Sequence, residues 1–254
     1  MNAKNLPIAV FDSGVGGVSV LRELIRQMPE ENYLYYGDSA NAPYGDKTTE
    51  EVRQRSLEVA RMLIQRGIKA LVVACNTATA AAITELREKY PDMIVVGIEP
   101  ALKMAADRFP QGNIGVMATQ VTLREEKFAQ QAERFSQANI LPIPAPGLVE
   151  LIEQGRNEHG ETERFLQGLL APYVGKLDAL VLGCTHYPFV TGLLKKILGP
   201  ETVLLDGGEG TARQTKNCLL SAGLLQDGPG SVQIENSSAE PALVERCMEL
   251  LMEE

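Results

Sequence analysis

The sequence predicts an α/β fold of two similar domains, each with a mostly parallel central sheet and helices on both faces. Short apolar runs alternate with stretches whose apolar residues recur at helical spacing. Two of these runs, 70–77 and 179–186, read almost alike, and each places a cysteine after a small residue. Leu and Val without polar alternation are typical of parallel strands that are covered on both faces.

The strands of the first half recur in the second half at nearly constant separation. Residues 8–11, 70–73 and 94–96 match residues 114–117, 179–182 and 203–205. We therefore expect the same order of strands and helices to occur twice in the chain. A first domain of 1–98 with 208–254 would carry Cys75, and a second domain of 99–207 would carry Cys184. The alternative is coincidence, since all α/β chains alternate strands and helices.

Helices are predicted between the strands. The expected helical segments are 18–27, 49–65, 78–89, 124–135, 160–174 and 193–198. Residues 206–210 include three glycines and are expected to form a flexible connection from the second domain back to the first. The tail should then form a helix at 211–222, a strand at 231–234 and a helix at 241–252, and should pack on the first domain.

Composition argues against nucleic acid and membrane as partners. The net charge is −9, and Arg53, Arg55, Arg61 and Arg66 alternate with Glu in the pattern of a solvated helix face. No apolar stretch approaches the roughly 20 residues of a membrane span, and the polar start does not resemble a secretory signal. Four scattered cysteines do not form a disulfide framework. These features predict a cytoplasmic protein with free thiols.

Cys75 and Cys184 are each predicted where a strand ends and a helix begins, the position at which open α/β sheets bind ligands. The partly positive end of a helix also lowers the pKa of a thiol there. Two such thiols facing one another across a cleft between the domains would be bases on opposite sides of one substrate. The alternative is a buried structural role for both. A zinc site with His186 is not predicted, because the chain has only two histidines and no C-x-x-C pair.

Polar residues follow several of the predicted strands. Asp12 and Ser13 open a glycine-rich loop that lacks the Lys and the spacing of a phosphate or dinucleotide loop. They are expected to bind an amino or hydroxyl group, or alternatively to cap the next helix. The loop at 36–45 is expected to line a pocket. The side chains directly after the cysteines offer neutral donors suited to carboxylates, namely Asn76, Thr77, Thr185 and His186.

Four segments in this order, 11–17, 36–45, 74–80 and 183–188, resemble the glutamate racemase family, and the resemblance covers nearly the whole chain. It implies interconversion of L- and D-glutamate without a cofactor, in supply of bacterial cell-wall (peptidoglycan) synthesis, by a protein that is commonly a homodimer. Cys75 would take the proton from D-glutamate and Cys184 from L-glutamate. One thiolate and one thiol would exchange roles with substrate direction.

The resemblance also implies roles for individual residues. Asp12 would lie near Cys75 and His186 near Cys184, while Asp38 and Glu153 match acidic residues associated with catalysis. The implied substrate contacts are Asp12, Ser13, Tyr44, Gly45, Asn76, Thr77, Thr119, Thr122, Thr185 and His186. This chain has Ala145 where the family often has a cysteine. The alternative for Glu153 is a solvated residue of the amphipathic segment 148–153.

Two other functions are open at this stage. The first is a racemase of aspartate or a related amino acid, because one methylene changes binding by only about 1–3 kcal/mol. The second is a two-lobed amino-acid-binding protein without turnover. Such a protein has no need of two thiols at matching strand ends.

Overall fold

The computed structural model describes residues 3–98, 101–124, 126–157 and 159–252. Numbered along the chain, the strands are β1 (Ile8–Asp12), β2 (Asn32–Gly37), β3 (Ala70–Val73), β4 (Ile94–Gly97), β5 (Asn113–Ala118), β6 (Asn139–Pro144), β7 (Ala179–Gly183), β8 (Val203–Leu205) and β9 (Ser231–Asn236). The α-helices are α1 (Val18–Gln27), α2 (Thr49–Gln65), α3 (Asn76–Lys89), α4 (Ala101–Arg108), α5 (Gln120–Arg124), α6 (Glu126–Arg134), α7 (Leu148–Glu153), α8 (Gly160–Leu170), α9 (Thr191–Leu198), α10 (Gly208–Ser221) and α11 (Pro241–Met252).

The chain divides into two compact units, one of Met1–Glu99 with Gly208–Glu254 and one of Pro100–Gly207. Glu99, at the predicted domain boundary, and Pro100 lie outside the described residues. Among the described residues, no helix combines the length and the apolar character that a membrane span needs.

The first unit is built on a parallel sheet with strand order β4-β3-β1-β2-β9. Every residue of β1 and β3 is buried, as the unbroken apolar runs predict for strands covered on both faces. The tail belongs to this unit, because β9 pairs with β2 and α10 packs on α1.

The second unit is built on a parallel sheet with strand order β6-β5-β7-β8. This is the order of β2-β1-β3-β4 in the first unit. The register also corresponds, since Ile8 lies opposite Ala70 in one sheet and Ile114 lies opposite Ala179 in the other. Two similar α/β units with parallel sheets are what the sequence predicted, and this prediction is confirmed.

Two elements of the second unit were missed at the level of sequence. Helix α4 follows the predicted boundary, and β6 contains Pro142 and Pro144. Proline has no N–H to donate to a sheet, so a strand containing two prolines has a weak signal. The sheet accommodates them because β6 is its edge strand.

Several predicted helix boundaries were wrong. Around the segment expected as a helix at 124–135, the described helical residues begin earlier, at Gln120, and α8 ends at Leu170 rather than at residue 174. The expected flexible connection at 206–210 is also incorrect from Gly208 onward. Gly208 and Gly210 are buried in the first turn of α10, where the packing of this helix outweighs the low helical preference of glycine.

A buried ion pair ties both ends of the chain to the first sheet. The ammonium of Lys69 contacts the carboxylate of Glu31, and both side chains are almost fully buried. Lys69 also donates to the carbonyl oxygens of Lys4 and Leu224. Since Glu31 accepts from the main chain of Gln226 as well, these bonds join the N-terminal segment and the tail to the starts of β2 and β3.

Candidate active site

Cys75 lies directly after β3 and caps the N-terminus of α3. Its Sγ accepts a hydrogen bond from the backbone N–H of Ala78 at 3.4 Å. The thiol donates to Oγ of Ser13 at 3.5 Å. Since the orphan N–H groups of a helix N-terminus favour negative charge, this position stabilises a thiolate.

Ser13 is held beside this thiol by the loop after β1, and Asp12 precedes it as the last residue of the strand. The buried carboxylate of Asp12 accepts from the backbone N–H of Gly14 at 3.0 Å and so closes a tight turn. It does not cap α1, whose N-cap is Gly17 without a side-chain hydrogen bond. A Cβ at Gly17 would overlap the Cβ of Asp12, which explains why the loop needs glycine here.

Asp38 follows β2 and is fully buried in a hydrogen-bonded network. Tyr44 donates to its Oδ2 at 2.7 Å and Asn41 to its Oδ1 at 3.1 Å. Arg55 donates twice, from Nε to Oδ2 at 2.7 Å and from Nη2 to Oδ1 at 2.8 Å. Burial alone would raise the pKa of Asp38, but these hydrogen bonds outweigh it and hold the pKa below its ordinary value.

Tyr44 connects this network to the environment of Cys75. Its ring packs edge-on against Phe11, with ring centroids 6.3 Å apart, and it belongs to the same buried core cluster as Cys75. Burial and then the charge of Asp38 raise the pKa of Tyr44, so its hydroxyl stays protonated and remains a donor.

The amide of Asn76 lies beside Cys75 at the start of α3. Its Nδ2 is buried and has no hydrogen-bond partner within the described part of the chain. An unpaired buried donor costs about 1–3 kcal/mol, so this group favours a ligand that accepts a hydrogen bond. Thr77, the next residue, is also buried, and Gly45 is half-buried after Tyr44.

Cys184 lies directly after β7, but no α-helix begins there. A turn at Thr185 and His186 leads into a 3-10 helix at Tyr187–Val190, and α9 begins only at Thr191. The prediction of a helix directly after Cys184 was therefore wrong. Pro188, which cannot donate a main-chain hydrogen bond, occupies the first turn of the 3-10 helix.

His186 joins Cys184 to Glu153 at the end of α7. The Sγ of Cys184 is 3.7 Å from Nδ1 of His186, and Nε2 is 3.0 Å from Oε1 of Glu153. Burial alone would lower the pKa of His186, but the hydrogen bonds to Cys184 and Glu153 outweigh it and raise the pKa well above its ordinary value. The imidazole is therefore suited to stay protonated beside the thiol.

Other hydroxyl groups lie near the same edge of this sheet. Thr119 follows β5, the neighbour of β7, and its Oγ1 is 3.0 Å from Oγ1 of Thr122 in α5. Thr185 is buried. The hydroxyl of Tyr187 is buried without a hydrogen-bond partner among the described residues. Burial, and then the charges of Cys184 and Glu150, raise the pKa of Tyr187.

Arg55 and Tyr187 were given no role at the level of sequence. Arg55 was interpreted as part of a solvated helix face, which is wrong, because its side chain is half-buried against Asp38. A signal existed: Arg55 lies three residues after Val52 and four before Val59, both of which are buried. For Tyr187, the sequence gave no indication of a functional role other than its position directly after His186.

Within the described residues, no three His, Cys, Asp or Glu side chains come together as metal ligands. The units define a class of protein: an α/β protein with a cysteine after the corresponding strand of each parallel sheet. The thiol in the first unit has main-chain and hydroxyl partners. The thiol in the second unit has an imidazole–carboxylate pair.

Comparison with known proteins gives the family. A model of the Asp/Glu/hydantoin racemase family matches residues 8–215. The chain is 46% identical over 257 residues to a glutamate racemase of Clostridium kluyveri, with 100% of both chains covered. It therefore belongs to the Asp/Glu/hydantoin racemase family, and its members are isomerases.

Two solved structures share the fold over nearly the full length. The glutamate racemase from Thermus thermophilus in complex with β-chloro-D-alanine superposes with a TM-score of 0.86 at 35% identity, covering 97% of this chain and 93% of that chain. Escherichia coli glutamate racemase in complex with L-glutamate and the activator UDP-MurNAc-Ala gives a TM-score of 0.85 at 31% identity, covering 97% and 94%.

Proposed function

We propose that this protein interconverts L- and D-glutamate, with Cys75 and Cys184 as its two acid–base groups and without a cofactor. The observation that carries the proposal is the placement of the two thiols. Each follows the corresponding strand, β3 or β7, of two sheets with the same strand order. Full-length similarity to glutamate racemases supports glutamate as the substrate.

In the proposed reaction, the Cys75 thiolate removes the α-proton of D-glutamate. The electron pair left on the α-carbon is delocalised into the α-carboxylate. The Cys184 thiol then delivers its own proton to the opposite face, giving L-glutamate, a Cys75 thiol and a Cys184 thiolate. The reverse direction uses the same groups with their roles exchanged.

Different neighbours would stabilise the two thiolates. At Cys75, the N-terminus of α3 supplies partial positive charge, and the hydroxyl of Ser13, which accepts from the thiol, would turn to donate to the thiolate. At Cys184, a protonated His186 held by Glu153 supplies a full charge. Asp12, on the loop that carries Ser13, would orient the substrate amino group.

Neutral donors would bind the two substrate carboxylates. We assign this role to Ser13, Asn76, Thr77, Thr185 and the Tyr44–Gly45 segment, with Thr119 and Thr122 as further contacts. The unpaired Nδ2 of Asn76 supports this assignment most directly, because a carboxylate oxygen would satisfy it.

The biological setting is part of the proposal. Supply of D-glutamate for peptidoglycan synthesis follows from the assigned reaction. A cytoplasmic homodimer is proposed by resemblance, and four free thiols are consistent with a reducing compartment. The domain limits predicted from the sequence are 1–98 with 208–254 and 99–207. That these two parts fold as separate domains likewise stays a prediction.

The test follows optical rotation and deuterium content in heavy water, with no cofactor added. The purified protein should equilibrate L- and D-glutamate and place deuterium at the α-carbon. Cys75→Ala and Cys184→Ala should each lower turnover by at least about 1000-fold, because each removes one of the two proton carriers. Cys218→Ala, which removes a half-buried thiol of α10, should leave turnover unchanged.

Other outcomes would redirect the proposal. Turnover of aspartate in preference to glutamate would keep the mechanism and change the substrate. Calorimetric binding of glutamate without any change in optical rotation would indicate a binding protein. Normal turnover in either cysteine variant would refute the two-thiol mechanism.

A further inference from the structure

The carboxylate of Asp38 has no acceptor position left for a substrate proton. An ionised carboxylate has about four lone-pair sites. Arg55 fills two, and Tyr44 and Asn41 fill one each. Ser237 of the tail adds a further hydrogen bond. Asp38 therefore acts through its neighbours rather than as a proton carrier.

The hydroxyl proton of Tyr44 is likewise already used in a hydrogen bond within the protein. It donates to Asp38 at 2.7 Å, and the ring above it is fixed against Phe11. With the hydroxyl used in this way, the part of the Tyr44–Gly45 segment that can face a substrate is its main chain. The position of that main chain depends on how firmly Asp38 holds the ring.

Arg55 supplies the fixed point for Asp38. It projects from α2, a helix closed at its N-terminus by a reciprocal capping box of Thr48 and Glu51 and packed along α3. Nε and Nη2 form two parallel bonds to the two oxygens of Asp38, a geometry that only the planar guanidinium fork provides. Both the distance and the orientation of the carboxylate are thus set from a rigid helix.

We propose that Arg55 is a positioning residue for substrate binding: through Asp38 and Tyr44 it fixes the main chain of the Tyr44–Gly45 segment next to Cys75. The proposal rests on the proposed function, which assigns that segment to the substrate. It concerns binding geometry, so loss of the fork raises KM and leaves the proton-transfer groups in place.

The test compares Arg55→Lys with Arg53→Lys. Arg53 lies on the same helix and pairs with Glu50 and Glu85, with no hydrogen bond to Asp38. Arg55→Lys keeps the charge and loses the fork, so KM for L-glutamate should rise about tenfold while kcat changes less than about threefold. Arg53→Lys should change neither. Melting temperatures of both variants report any general loss of fold.

A double-mutant cycle with Tyr44→Phe tests the route of the effect. If Arg55 acts through Asp38 on Tyr44, the double variant should have no higher KM than the worse single variant. Multiplying effects on KM, or a KM for Arg55→Lys within about twofold of the parent, would overturn the proposal. Should the parent protein bind glutamate without turnover, the proposed function fails, and the same comparison is read from Kd by calorimetry.

Discussion

The ends of β3 and β7 occupy corresponding places in two sheets of the same strand order, yet the cysteines that follow them have different surroundings. Cys75 caps an α-helix and contacts a hydroxyl. Cys184 precedes a turn and a 3-10 helix and contacts an imidazole that is paired with a carboxylate. One backbone plan therefore surrounds a thiol in two physically distinct ways.

The difference determines how each site responds to pH. A helix N-terminus is a fixed dipole whose effect on Cys75 does not titrate. His186 carries a charge that can be lost, although its raised pKa delays that loss to higher pH. We therefore expect the second unit to contribute most of the pH dependence above neutrality.

Among the neighbours of the two thiols, the largest expected effect comes from removing the imidazole of His186. His186→Asn should lower kcat/KM by about 100- to 10,000-fold, the range of a lost general acid–base partner. The loss should be equal from L- and D-glutamate, because the equilibrium between enantiomers does not change. Circular dichroism in both directions measures it.

The chain contains a matched control for this variant. His159 is exposed and caps α8, far along the sequence from Cys184. His159→Asn should leave kcat/KM unchanged. A loss below about threefold in His186→Asn would mean that Cys184, like Cys75, needs no titratable neighbour.

A smaller effect is expected from Glu153→Gln, which removes the anionic partner of His186. The pKa of His186 should fall, and kcat/KM should drop about tenfold, the value of a hydrogen bond to a charged group. In the parent, stability from the protonated imidazole is complete below the ordinary pKa of 6.5 and is lost as pH rises through the raised value.

In Glu153→Gln that loss should begin at lower pH. Thermal unfolding across a pH series measures the shift for the parent and the variant. Glu150→Gln is the control, since Glu150 lies on the same helix, is exposed and, among the described residues, is not the carboxylate that pairs with His186. An unchanged pH series in Glu153→Gln would place the stabilisation of the imidazolium on Cys184 alone.

The spacing of apolar residues predicted most helices and strands well. It failed where tertiary packing determines whether a segment is a helix or a strand. The bounds of α1, α2 and α11 follow directly from apolar spacing, because each helix buries one face. Strand β6 was missed because its prolines suit only an edge strand, and sequence does not show which strand is at the edge. The start of α10 was missed because burial of Gly208 comes from tertiary contacts.

The candidate site shows the same limit. Motifs and resemblance located the cysteines, their neighbours and Asp38, since these are local in sequence. The fork from Arg55 to Asp38 joins residues on different elements, and charge alternation along α2 concealed it. The turn after Cys184 was hidden for another reason: the two cysteine segments match in sequence, while their structures differ from the residue after each cysteine, Asn76 or Thr185, onward.

The smallest expected effect is a difference in the free energy of unfolding that comes from helix capping, which we expect at residue 75 and not at residue 184. Serine is a good N-cap and alanine a poor one, so Cys75→Ser should be more stable than Cys75→Ala by about 1 kcal/mol in urea unfolding. The same pair at residue 184 should differ by less than about 0.5 kcal/mol, because no α-helix begins there. All four variants lack a reacting thiol, so the comparison is independent of turnover. A difference below about 0.5 kcal/mol at residue 75 would show that the α3 N-terminus does not depend on a side-chain cap there.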